Sequence, residues 1–155
     1  MTKGIYKIIK GDVTNPQKEP DERIIIPHVC NDFGVMGAGV ALALKKKWPE
    51  IEDVYKRSKN IGSCSFLDVE DNIIVVNMVA QNGTVNSTNY RPLKYHQLVK
   101  CMMNVKDWAV AGKCRIIAPK FGSDLARGDW NFIEELIQDC WLDYGIDVTI
   151  YEWDG

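Results

Sequence analysis

Apolar positions in this chain fall into short runs cut by polar turns, and the spacing inside the runs switches between two periods. Ile5-Tyr6-Lys7-Ile8-Ile9 alternates partly and predicts a strand that stops at the Gly11-Asp12 turn. Residues 15–22 are polar and predict a loop. Residues 23–27, centred on Ile24-Ile25-Ile26, predict a short strand buried on both faces of a mostly parallel sheet. Helical spacing follows over 40–48, and Pro49 either ends that helix or begins a second one over 50–58. Residues 65–69 and 72–77 predict two strands joined by a tight turn at Glu70-Asp71. A long polar stretch, 81–89, predicts a loop. Residues 92–110 return to helical spacing, with Leu93, Leu98-Val99, Met102-Met103, Val105 and Trp108-Ala109 in phase. A strand over 114–118, a helix over 130–141 with Asp129 as its N-cap, and a closing strand over 147–153 complete the pattern.

Strands alternating with helices define an α/β class with helices on both sides of a mixed sheet, the 65–77 pair adding antiparallel character. Ligands of such sheets bind beyond the carboxyl ends of the strands. The loops at 11–14, 28–39, 78–90 and 119–129 all follow strands and are rich in Asp, Asn, Gly and Ser, which suits a polar ligand. The 155 residues hold no repeat, low-complexity tract or linker, so the expectation is one domain over 1–155.

Charge and cysteine usage narrow the function. A formal net charge of −2 argues against non-specific nucleic-acid binding, so a nucleic-acid partner is not expected. Lys45-Lys46-Lys47 reads as a solvated helix face. The five cysteines are odd in number, widely spaced and without a CxxC, which predicts reduced thiols and a cytoplasmic location rather than disulfides or zinc. His28 lies at a strand end and the other histidine, His96, sits mid-helix, so no His-based metal site is expected. The N-terminus lacks a signal-peptide apolar region, and no apolar run is long enough to span a membrane.

The candidate chemistry sits in the strand-following loops. Gly37-Ala38-Gly39 opens a helix after a strand, which presents bare amides and a positive helix end to a phosphate, or else permits close helix packing. No G-K-[ST] follows it, so it is not a Walker loop, and it lacks the full G-x-G-x-x-G spacing. Asp12 either closes its own turn or accepts from an exocyclic amine. Asn31 either caps a loop or holds a ribose hydroxyl and a water. Asp32 is a candidate base where burial raises its pKa. Phe121-Gly122-Ser123-Asp124 leads into another helix and could meet a phosphate from the opposite side. Tyr151 packs either on a flat base or in the core. His28 reads as structural, and Cys30 has no partner placed to make a hydrolase nucleophile.

Taken in this order, these motifs resemble the macrodomain family of ADP-ribose-binding modules. Gly11-Asp12-Val13-Thr14 is similar to the family's adenine-recognising turn, and His28-Val29-Cys30-Asn31-Asp32-Phe33-Gly34-Val35-Met36-Gly37-Ala38-Gly39-Val40-Ala41 to its first phosphate loop. Asn89-Tyr90-Arg91-Pro92-Leu93 resembles the start of its middle helix, and residues 119–130 its second phosphate loop. The resemblance implies a three-layer α/β/α macrodomain-like sandwich with a mixed, mostly parallel central sheet. It implies ADP-ribose, or a derivative, as ligand or substrate, and no cofactor. Asp12 and Val13 would bind adenine, with Tyr151 flanking it; Met36, Gly37, Ala38, Gly39 and Val40 would line the diphosphate from one side, and Phe121, Gly122, Ser123, Asp124 and Leu125 from the other; Asn31 would sit by the distal ribose. The subgroup it resembles includes ADP-ribose 1″-phosphate phosphatases, deacylases and ADP-ribosyl hydrolases. Members that use a catalytic lysine carry it where this chain has Gln81, and some carry an Asp where it has Ala126. The expectation is therefore a water-based hydrolysis of a distal-ribose derivative, with Asn31, Asp32 and Asp124 as the catalytic candidates. The alternatives are a non-catalytic reader of ADP-ribose and a hydrolase reversing ADP-ribosylation. A Rossmann dehydrogenase fits poorly, because the glycine loop follows the second strand.

Overall fold

The computed structural model describes residues 2–153. Strands β1 (Tyr6–Lys10), β2 (Ile24–Asn31), β3 (Cys64–Glu70), β4 (Ile73–Gln81), β5 (Arg115–Ala118) and β6 (Val148–Glu152) form one sheet in the order β1-β6-β5-β2-β4-β3. All neighbours run parallel except β3, which returns antiparallel along β4. Helices α1 (Gly39–Lys47) and α2 (Glu50–Arg57) lie with one face of the sheet; α3 (Tyr95–Gly112) and α4 (Trp130–Cys140) lie with the other. This is the three-layer α/β/α arrangement with a mixed, mostly parallel sheet.

Two clusters make the core because side chains alternate across a strand. Ile25, Val76 and Met78 point toward Leu98, Met102 and Ile137 of α3 and α4, while Ile24, Ile26 and Val75 point toward Leu44, Ile51 and Tyr55 of α1 and α2. Trp141 closes the end of α4 by donating its indole N–H to Met102 O at 2.9 Å. With both faces covered, β4 is buried from Ile73 to Ala80.

Several boundaries differ from the pattern-based expectation, each for a tertiary reason. β2 runs through Pro27 to Asn31, rather than stopping at 27. Its ladder with β5 ends at Ile25↔Ile116, so Pro27 has a flank on which no ladder needs its missing N–H. β4 likewise continues past Asn77 to Gln81 alongside it. α3 begins at Tyr95 instead of 92, because the preceding residues are drawn onto β4: Lys94 N donates to Ala80 O at 2.9 Å and Leu93 bridges Gln81. Pro49 occupies the N-cap position of α2. A 3₁₀ turn, Leu142–Tyr144, follows α4 and has no counterpart in the sequence reading.

The polar side chains buried within the strands are paired. His28, which sits within β2 and not at its end, shares Nε2–H with Asn77 Oδ1 at 2.7 Å, and Asn77 Nδ2 donates to Ser65 Oγ at 3.0 Å and Ile51 O at 3.1 Å. Burial pushes the His28 pKa down to about 4, more than its Asn77 bond raises it, so the ring is neutral. In the unfolded chain the ring takes a proton below its ordinary 6.5, whereas the folded chain resists until about pH 4. Between those values protons favour the unfolded state, so this contribution is intact above pH 6.5 and lost as pH falls toward 4. The loss is on the order of 3 kcal/mol. Urea unfolding at pH 7.0 and 4.5 should show that fall in the native chain and a smaller one in His28→Gln.

Candidate functional site

The β2–β5 boundary is where chain direction reverses. From β2 the chain passes through α1, α2 and β3 to β4 on one side; from β5 it passes through α4 to β6 on the other. Their ladder holds only two residue pairs, and past it the strands' continuations separate. A crevice opens at the carboxyl ends, as the topology of an open parallel sheet requires. It has a volume of about 270 Å³ and is lined by the ends of β2 and β4, by residues around the start of α1, by Thr84 and Val85, and by the segment after β5.

The first wall is shaped by Asn31. Its Oδ1 accepts from Phe33 N at 3.0 Å and Val35 N at 3.3 Å, and its Nδ2 donates to Val35 O at 3.0 Å. The Tyr55 hydroxyl lies against the Asn31 backbone oxygen and 2.7 Å from its Oδ1, and accepts from Gly34 N at 3.1 Å. Asn31 therefore lines the cleft while acting as the staple of its loop. Asp32 turns away from the cleft: its Oδ1 accepts from Gly83 N at 2.8 Å, tying this loop to the one after β4. Gln81, in the wall, donates Nε2 to Gly83 O at 2.9 Å.

Beyond that loop α1 begins. Ala38 at its N-cap offers no side-chain bond, its first turn has no acidic residue, and Gly39, Val40 and Ala41 line the cleft. The amides of that turn have no intrahelical partner, and together with the helix dipole they make a positive end. Gly39 has φ +59°, which favours glycine. Gly37 has no such need: a Cβ there would meet only Val35 Cγ1 at 3.5 Å, an ordinary contact.

The opposite wall is more tightly built. Gly122 has φ +77°, and Gly128 N donates to Gly122 O at 2.7 Å. A Cβ on Gly128 would fall 2.4 Å from that same oxygen. Between the two glycines, Arg127 N donates to Asp124 O and Ala126 O accepts from Leu93 N. Ser123 Oγ donates to Lys120 O at 3.0 Å, and Phe121 is wedged among Trp130 and Trp141. The cleft lining contains one carboxylate, the exposed Asp124, and one cation, Lys120. Cys30 and His28 also line it, with sulfur 3.7 Å from Nε2. Burial drives the Cys30 thiol pKa well up and the His28 pKa down, so the pair stays neutral and is no thiolate–imidazolium nucleophile.

Of the residues expected in the site, Asn31, Gly37, Ala38, Gly39, Val40, Phe121, Gly122, Asp124 and Leu125 share this one cleft. Asp12 and Val13 stand apart at the end of β1, two strands from β5 and so roughly 10 Å away. Asp12 is exposed, its Oδ1 accepting from Thr14 N and Oγ1. Met36 and Tyr151 are in the core, each 2% exposed. Tyr151 lies under Gly11, where a Cβ would be 2.9 Å from its ring, and its hydroxyl accepts from Gln17 N at 2.9 Å. It supports the Asp12 turn from below instead of presenting its ring. Thr84 and Val85 also line the cleft, with no signal in the sequence beyond the polar 81–89 loop, and so does Lys120, whose one signal is its place in the 119–130 segment. Among the described residues, no cluster of three or more His, Cys, Asp or Glu could hold a metal, and no helix is long and apolar enough to cross a membrane.

Comparison with known proteins places this geometry. No family model matches the chain. A solved macrodomain protein from Streptomyces coelicolor is 30% identical and superposes with a TM-score of 0.81, covering 94% of this chain and 97% of that one. The chain belongs to the macrodomain family. It is similar over 87% of its length to 93% of an ADP-ribose 1″-phosphate phosphatase of Candida albicans, at 23% identity. It is also similar over 92% of its length to 88% of the human ADP-ribose glycohydrolase OARD1, at 24% identity.

The two kinds of glycine predict opposite outcomes. Gly128→Ala should destabilise the fold by roughly 1–3 kcal/mol, because backbone cannot retreat from the new methyl. Gly37→Ala should stay within about 0.5 kcal/mol of the parent. Thermal denaturation of the two variants checks the contrast.

Proposed function

We propose that this chain binds ADP-ribose across the sheet's carboxyl edge and hydrolyses a group carried on the distal ribose, a 1″-phosphate in preference to an acyl ester. The observation that carries the reading is the pairing of an uncapped helix N-terminus with a second backbone-built loop across one crevice. That arrangement suits a diphosphate held by amides. Gly37 adds to it, since its missing Cβ serves neither backbone strain nor packing and leaves room for a ligand. The exposed Asp12 turn, beyond β6, suits an adenine amine, with Oδ1 committed to Thr14 and Oδ2 left to accept. The phosphatase and glycohydrolase names of the relatives support the same ligand class.

In this reading the distal ribose lies by Asn31, whose amide fixes the loop that cradles it. Asp124 is the carboxylate that accepts the proton of an attacking water, because it lines the cleft while Asp32 is engaged with Gly83. The water oxygen attacks phosphorus, the bond from phosphorus to the C1″ oxygen breaks, the proton held by Asp124 passes to that oxygen, and ADP-ribose and inorganic phosphate leave. Gln81, not a lysine, stands in the cleft wall at the end of β4, so no covalent step on a lysine is invoked.

A non-catalytic reader is the second reading, and Asn31 favours it: the amide is already engaged within its own loop. Calorimetry with ADP-ribose, and phosphate release from ADP-ribose 1″-phosphate, separate the two. The hydrolase reading expects micromolar binding that weakens by about tenfold or more in Asp12→Ala and falls in Gly37→Ala. It also expects Asp124→Asn to lose roughly 10²-fold or more in turnover while still binding. Binding without turnover in the parent chain establishes the reader. No binding overturns both.

A further inference from the structure

Lys120 is the cation of the cleft, and it is turned aside. It leaves β5 directly after Pro119, yet its Nζ lies 3.4 Å from Glu152 Oε1 and 5.9 Å from the centre of the Trp130 ring. Glu152 ends β6, and its backbone oxygen accepts from Gly11 N at 3.0 Å, so its carboxylate stands between the cleft and the Asp12 turn. The pair is open to solvent, with the lysine side chain 41% and the glutamate 42% exposed. Exposed pairs of this kind are weak and break at little cost. Every other positive feature of the cleft is a backbone amide, fixed in place and of partial charge.

We propose that Lys120 is a ligand-responsive charge: its ammonium, paired with Glu152 and over Trp130, transfers to the anionic portion of the ligand when one binds. The inference rests on the ADP-ribose reading and adds the residue that sets affinity for charge. A flexible ammonium with three donors reaches an anion from either side of the crevice mouth. Glu152 neutralises it meanwhile and competes with the ligand for it, which tempers affinity for anions in general. Trp130 reports the move, because the ammonium over its ring departs.

The test is calorimetry with ADP-ribose at low and high salt on the parent chain, Lys120→Met, Glu152→Gln and the double variant. Tryptophan fluorescence is followed in parallel, with Trp130→Phe identifying the reporter. Methionine keeps the apolar stem on Trp130, and melting temperatures confirm that each variant folds. The expected result is three- to tenfold weaker binding in Lys120→Met, roughly, with a shallower salt dependence. Glu152→Gln should bind about two- to threefold tighter, and the double variant should match Lys120→Met. The ligand-induced fluorescence change should vanish in Lys120→Met and in Trp130→Phe. A parent chain that binds while Lys120→Met binds equally well overturns this inference alone. So does a Glu152→Gln effect that persists without the lysine. A parent chain that does not bind overturns the ADP-ribose reading and this inference with it.

Discussion

Burial of β2 and β4 on both faces is the constraint from which the rest follows. A strand covered on two sides admits polar side chains only where each is bonded, and His28, Asn77 and Ser65 meet that condition by bonding in a chain. Chemistry that needs water or a polar ligand is thereby displaced to the strand ends. At the carboxyl end the sheet meets Asn31, Gln81 and the segment after Ala118.

The short β2–β5 ladder converts that end into a crevice, and the loops around it are fastened to each other as well as to the sheet. Asn31 and Tyr55 hold one, Asp32 fastens it to Gly83, and Leu93 fastens the segment after β4 to Ala126 of the third. The three loops thus form a linked rim, in which the position of one limits the others. A macrodomain relative shares the architecture, and in this chain the rim presents Gln81 and one exposed carboxylate, Asp124, to the cleft.

Much of this was legible in the sequence wherever one local signal decided the outcome. The isoleucine run of β2, the antiparallel β3–β4 pair, and Asp129 as a cap accepting from Asn131 N all follow from period and turn chemistry. So does the placement of Gly37-Ala38-Gly39 on the cleft. What sequence did not yield depends on neighbours. Pro27 inside β2 is tolerated only because a ladder ends before it, and the late start of α3 comes from bonds to Ala80. Met36 and Tyr151 sit in motifs that resemble ligand contacts, but which way a residue points is set by the register of its strand or loop. Tyr151 shares the face of Ile117, and there the core claims it. Asn31 and Asp32 are adjacent in sequence and opposite in duty, a difference made by Gly83 from another loop.

The second loop carries a consequence for how such a site can diverge. Its two ends are sterically locked, since Gly122 is held by its left-handed backbone and Gly128 by the oxygen against it. Between them the side chains of Asp124, Leu125 and Arg127 are exposed, the first two on the cleft and the third on a left-handed backbone at φ +64°. The loop behaves as a fixed clasp with interchangeable teeth. New ligand preferences can be written at Leu125, and at Asp124 at the expense of its carboxylate, by substitution alone, without lengthening the loop or disturbing the sheet that carries it.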